Sequence, residues 1–108
     1  MNAASQGIRE AHEDDVLALA ALINEAYAPA EGLLYDGLRI TAAEVREKVE
    51  HGRFLLDVDS DGRLLGSVYV AIRGDSGYFG LLAVSPAQQK HGRGRLLVGA
   101  AEAYCRSR

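Results

Sequence analysis

Apolar positions recur along this chain with two different periods, and the switches between them separate helical from extended stretches. Ile8 stands between polar neighbours in residues 6–11, a short extended segment. Val16, Leu19, Ala20, Ile23, Ala26 and Tyr27 then recur at helical spacing and draw one apolar stripe. Asp14 and Asp15 stand at the start of that stripe, where carboxylates accept from free N–H groups and meet the positive end of the helix dipole. Pro29 and Gly32 are expected to stop the helix, leaving residues 29–40 as a loop. Thr41-Ala42-Ala43-Glu44 forms a capping box that opens a second helix through Val45 and Val49, and Gly52 lies where a helix end favours positive φ.

From Arg53 the period is two. Phe54, Leu56 and Val58 alternate with Leu55 and Asp57, Asp59-Ser60-Asp61-Gly62 turns the chain, and Leu64 to Ile72 returns as the second arm of a hairpin. A turn over residues 73–77 leads into Tyr78–Val84, an apolar run expected to be a strand buried on both faces and ended by Pro86. A last helix from Gly92 or Arg93 carries Leu97, Ala100, Ala101 and Tyr104 on one face. The order is β-α-α-β-β-β-α, an α/β (α+β) arrangement around a mainly antiparallel sheet, and residues 1–108 are read as a single domain.

Composition narrows the function. The 108 residues are 48% hydrophobic and 25% charged, an ordinary globular balance. A formal net charge of −3 speaks against a general nucleic-acid binder. A single cysteine, Cys105, rules out an internal disulfide framework and suits a reducing cytoplasm. The opening residues show no signal peptide, and no run is long enough to cross a membrane. Three histidines and one cysteine are too scattered for a zinc site.

One stretch stands apart, from Leu81 through Pro86 to Leu97. It reads as a strand, a short loop and a helix entered through Gly92 and Gly94. The N–H groups of residues 89–95 have no intrahelical partners there and lie at the positive end of the dipole, which suits a phosphate. Lys90, Arg93 and Arg95, with His91 joining on protonation, make that entry basic in a chain that is acidic as a whole. A tight turn with solvated basic residues is the alternative reading of the same pattern. The third glycine of the dinucleotide fingerprint is absent, and so is the Gly-Lys-Ser/Thr of a P-loop.

Gln89-Lys90-His91-Gly92-Arg93-Gly94, preceded in register by Leu82-Ala83-Val84-Ser85-Pro86, resembles the signature of the GNAT family of N-acetyltransferases, Gln/Arg-x-x-Gly-x-Gly/Ala. The element order over residues 6–107 is similar to the first half of that fold. The resemblance implies that main-chain N–H groups of Gln89, Lys90, His91, Gly92, Arg93, Gly94 and Arg95 hold the pyrophosphate of acetyl-CoA. It implies that the backbone of Leu82, Ala83 and Val84 pairs with the pantetheine arm, and that an N–H there polarises the thioester carbonyl. The family's acceptor side makes Tyr27, Tyr35 and Tyr78 candidates for contacting an amine of a small molecule or peptide, with simple packing as the alternative for each. Glu25, Glu31 and Asp36 are candidate bases, and no residue is singled out for catalysis. No metal is implied. The family continues with a fifth strand, a further helix and closing strands, which have no residues here. The fourth-strand edge is therefore expected to stay open unless a homodimer covers it. An acetyl-CoA-binding module without catalysis is the alternative to an enzyme.

Overall fold

A computed structural model describes residues 8–31, 40–74, 76–86 and 92–107. Its elements run in the expected order: strand β1 (Ile8–Glu10), helix α1 (Val16–Glu31), helix α2 (Ala42–His51), strands β2 (Arg53–Val58), β3 (Leu64–Arg73) and β4 (Ser76–Val84), and helix α3 (Arg93–Arg106). The strands form one antiparallel sheet in the order β1-β2-β3-β4, so each hairpin neighbour in sequence is a neighbour in space.

Period-two alternation sends side chains to two separate cores. Phe54, Leu56, Tyr69, Ala71 and Ala83 face α1 and α2, where they meet Leu19, Ile23, Ile40 and Val45. Leu55, Val68 and Val70 face the other way and meet Leu97 and Ala101 of α3, with Ala100 and Tyr104 beside them. The stripe expected on the last helix is the one that is buried. Gly66 lets α3 come close, since a Cβ there would lie 2.8 Å from Leu97 Cδ1.

Helix entries follow the sequence signals with one refinement. The Thr41–Glu44 capping box forms: Glu44 N–H donates to Thr41 Oγ1 at 3.1 Å, and Thr41 N–H donates to Glu44 Oε1 at 2.8 Å. Residues Glu13–Asp15 form a short 3-10 turn ahead of α1. Asp15 accepts the His12 N–H at 2.7 Å and both guanidinium arms of Arg9 at 2.8 and 2.9 Å.

Three expectations need correction. α1 continues through Pro29 to Glu31, so the helix ends at Glu31 and not at the proline. Gly52 is extended (φ −171°) and not left-handed. What that position demands is space, since a Cβ would lie 2.3 Å from the Val70 carbonyl oxygen and 2.6 Å from the Tyr69 hydroxyl. Residues 78–84 are not buried on both faces: Tyr78 is 52% exposed, Phe79 39% and Leu82 36%. β4 is an edge strand, with β3 as its sole strand neighbour among the described residues.

Candidate functional site

The chemistry-bearing segment is built on an irregularity in β4. Ser67 pairs with Ala83 and Tyr69 with Gly80, so Val68 faces both Leu81 and Leu82. This is a β-bulge, and Leu81 carries it in the left-handed region at φ 49°. A non-glycine residue there costs about 1–2 kcal/mol, so the surrounding packing must hold it. The bulge reverses the alternation, bringing Tyr78 and Ala83 to the same face despite their odd separation. The Tyr27 hydroxyl donates to the Leu82 carbonyl at 3.0 Å and ties α1 to the bulge.

α3 begins beside the end of this strand. Gly92 takes φ 76° at the N-cap, and the first intrahelical bond runs from Leu96 N–H to Gly92 O at 3.1 Å. The N–H groups of Arg93, Gly94 and Arg95 therefore point out of the helix entry without intrahelical acceptors. A Cβ on Gly94 would lie 3.8 Å from side-chain carbons of both Leu82 and Val84, which places the first turn of α3 against the strand that follows the bulge. Edge-strand backbone and helix N-terminus thus converge at residues 82–84 and 92–95. Gln89, Lys90, His91 and Tyr35 lie outside the described residues.

The Arg93 side chain has a different destination. Its Nη1 lies 3.3 and 3.4 Å from the two oxygens of Asp57, whose side chain is fully buried while that of Arg93 is 34% exposed. Burial pushes the Asp57 carboxyl above its ordinary range, and the Arg93 charge offsets only part of that rise. The pair joins β2 to the first residue of α3. Asp57 was legible in the sequence only as a polar position within a strand.

On the opposite face of β4 lies a groove. One cleft of about 580 Å³ is lined by Glu44, Glu47, Lys48 and His51 of α2 with Tyr69, Arg73 and Tyr78 of the sheet. A second of about 280 Å³ is lined by Tyr27, Ile40, Glu44, Lys48, Tyr78 and Leu81, so three residues belong to both. The structure brings Tyr27 and Tyr78 together here. The Tyr78 hydroxyl folds over Gly80, 2.6 Å from where a Cβ would stand, next to the bulge. Tyr69 donates to the Lys48 carbonyl at 2.8 Å, and desolvation raises its phenol above the usual value. Glu25 lines a separate cleft with Leu64 and Ser85, away from these tyrosines. The Glu31 side chain and Asp36 lie outside what is described.

Sequence reasoning missed most of the groove. Glu44, Glu47, Lys48 and His51 do carry a signal: they recur at helical spacing as a polar stripe beside the apolar one. Among the described residues no group of three or more His, Cys, Asp or Glu side chains is placed to hold a metal, and no helix is long and apolar enough to cross a membrane.

A bulged antiparallel edge strand running into a glycine-opened helix, with two helices on the far face, defines an acetyltransferase-type α/β fold. The chain belongs to the acetyltransferase (GNAT) family, whose pattern it matches over residues 16–108. Comparison with curated proteins gives no match. Similar solved structures include the PaiA N-acetyltransferase of Thermoplasma acidophilum in complex with coenzyme A, with a TM-score of 0.78 and 17% identity over 93% of this chain and 71% of that one. A GNAT family acetyltransferase from Brucella melitensis in complex with acetyl-CoA gives 0.73 and 19% over 93% and 68%. The Mycobacterium tuberculosis protein Rv2747, in complex with CoA, gives 0.69 and 24% over 93% and 57%. The present chain thus spans little more than half of Rv2747, and 34% of a putative acetyltransferase from Pyrococcus horikoshii.

Proposed function

We propose that this chain binds acetyl-CoA along β4 and α3 and supports transfer of its acetyl group to a primary amine. The observation that carries this reading is the convergence of the bulged edge strand at Leu82–Val84 with the open N-terminus of α3 at Arg93–Arg95. Free N–H groups at a helix N-terminus suit a pyrophosphate. Edge-strand backbone at residues 82–84 suits an extended amide-bearing arm added like a strand. Family membership and the coenzyme complexes of similar structures support the same assignment.

In this reading, the N–H groups of Arg93, Gly94 and Arg95, with those of Gln89 to Gly92, hold the pyrophosphate. A backbone N–H at the bulge polarises the thioester carbonyl and stabilises the charge that develops on its oxygen. The acceptor amine approaches from the face that carries Tyr27 and Tyr78. Its nitrogen attacks the carbonyl carbon, and the C–S bond breaks with its electron pair leaving on the CoA sulfur. The amine proton passes to solvent or a nearby base, and the thiolate takes up a proton to depart as the free thiol of CoA. The reading extends to a cytoplasmic setting and to a homodimer that covers the open β4 edge outside residues 82–84; sedimentation showing a monomer at all concentrations would remove the dimer.

Gly94→Ala is the discriminating variant. The added Cβ makes only ordinary contacts at 3.8 Å, and alanine is the better helix former. The variant should melt at or above the parent temperature yet bind CoA at least about tenfold more weakly, a loss of about 1.4 kcal/mol. Calorimetry showing unchanged CoA affinity would overturn the pyrophosphate placement. CoA binding without turnover across a panel of amines would replace the enzyme with a coenzyme-binding module.

A further inference from the structure

We propose that Asp57 is a positioning residue for the coenzyme site: through Arg93 it fixes the first turn of α3 at the spacing from β4 that lets one molecule touch both. The inference rests on the placement of CoA along β4 and α3, and adds a residue two strands away that does not meet the ligand.

Asp57 stands in a row that crosses the whole sheet. Ile8, Asp57, Gly66 and Val84 are successive Cα partners from β1 to β4. Ile8 and Val84 pack into the α3-side core, and alternation from Leu55 puts Asp57 on that same face. At an adjacent-strand spacing of about 4.8 Å, Asp57 lies about 10 Å from the backbone of β4. Val84 ends the row under the helix entry, where a Cβ on Gly94 would lie 3.8 Å from its Cγ2. Gly66 has no side chain, and Leu97 of α3 fills the space over it. Beyond Gly66, Asp57 takes the Arg93 guanidinium. The entry of α3 is thus seated on β4 at Gly94 and tied to β2 one residue earlier.

Two features set this tie apart from a pair that only stabilises the fold. It does not offset the cost of its own burial, since the Asp57 carboxyl is pushed above its ordinary range even beside the guanidinium. A neutral side chain of the same shape would serve the fold about as well. The tie also occupies the charge of Arg93. The side chain of the first helical residue reaches back to β2, which leaves the pyrophosphate to the N–H groups of Arg93, Gly94 and Arg95. These groups bind only when they are aimed at the ligand, and a shift of the helix entry misdirects all of them together.

Calorimetric titration of the full chain with CoA tests this. Asp57→Asn should bind CoA about tenfold more weakly than the parent, the scale on which a group that orients a binding element acts. The same variant should melt within about 8 °C of the parent, so lost affinity is not lost fold. The sign discriminates, because removing a carboxylate near a polyanion would by charge alone tighten binding. Arg93→Gln should lose a similar factor, and Arg93→Lys should regain most of it by keeping one charged nitrogen for Asp57. Combining Asp57→Asn with Arg93→Gln should lose no more than either alone, as expected when one residue acts through the other. The proposal falls if Asp57→Asn binds CoA as tightly as the parent or more tightly, if the two losses add, or if Arg93→Lys rescues nothing. A parent that binds CoA beside an Asn variant that binds it equally well overturns the positioning role alone. A parent that binds no CoA overturns the coenzyme placement and this role with it.

Discussion

Truncating Asp57 to alanine separates two opposed effects in the link between β2 and α3. The carboxylate is fully buried, and its two oxygens lie 3.4 and 3.3 Å from Arg93 Nη1. Breaking an enclosed ion pair costs about 3–5 kcal/mol, because the surviving charge is stranded in a poor dielectric. Here the surviving charge is Arg93, whose side chain is one-third exposed and reaches water, and the contacts are long for a charged pair. The burial cost of Asp57 also disappears with it. Asp57→Ala should therefore destabilise by about 1–2 kcal/mol, well below the enclosed-pair figure. In a chain this size that lowers the melting temperature by about 4–15 °C. Asp57→Asn keeps the shape without the charge and should stay within about 1 kcal/mol of the parent.

The pH dependence supplies the sharper test. Burial outweighs Arg93 and raises the folded-state pKa of Asp57 above 3.8. Its contribution to stability is then complete below the unfolded-state value and is lost as pH rises through the folded-state value. The Asn variant should accordingly gain on the parent as pH climbs from about 4 toward neutrality. Denaturant unfolding at several pH values reads this directly. A parent-to-Asn difference that stays flat with pH, or an alanine variant more stable than both, would refute the balance argued here.

Other perturbations read other parts of the fold. The hydrogen bonds from Arg9 hold the Asp15 carboxyl at about 2, below its ordinary 3.8. Its contribution is thus present above 3.8 and lost as pH falls through about 2. Asp15→Asn should cost about 1 kcal/mol at neutral pH once the exposure of Arg9 is allowed for, and a difference that persists undiminished at pH about 2 would contradict this. The Ser67 hydroxyl is buried without a hydrogen-bond partner among the described residues. Ser67→Ala should be neutral or stabilising by up to about 1 kcal/mol, and a melting temperature several degrees lower would reveal a partner. Gly52→Ala drives a methyl into the Val70 carbonyl and should cost at least about 1–3 kcal/mol, whereas an unchanged midpoint would show that the helix end shifts freely.

Elements with local causes were legible in the sequence. The Thr41–Glu44 box, the Asp59–Gly62 turn and the stripe ending at Tyr104 each depend on residues a few positions apart, and each forms. The same local reasoning misjudged the burial of β4, because a continuous apolar run does not show how far the helices on either side extend over the strand's two faces. It misjudged Gly52 for a related reason. A glycine after a helix signals a left-handed cap, while the pressure on this one comes from Val70 and Tyr69 on another strand.

What the sequence determined by itself was the order of elements, the capped second helix and the glycine-opened helix that resembles a coenzyme site. All of these follow from periods, caps and dipoles that a short stretch of chain already contains. Tertiary structure alone decided the bulge at Leu81, the burial of Asp57 beneath Arg93, and the meeting of Tyr27 with Tyr78. The bulge depends on how β3 and β4 register against each other, and no residue pattern marked it, since a leucine and not a glycine takes the positive φ. The groove needs α2 laid over the β3–β4 hairpin before Glu44, Lys48 and Arg73 share one surface. Charges far apart in the chain acquire a common meaning only when packing sets their separation.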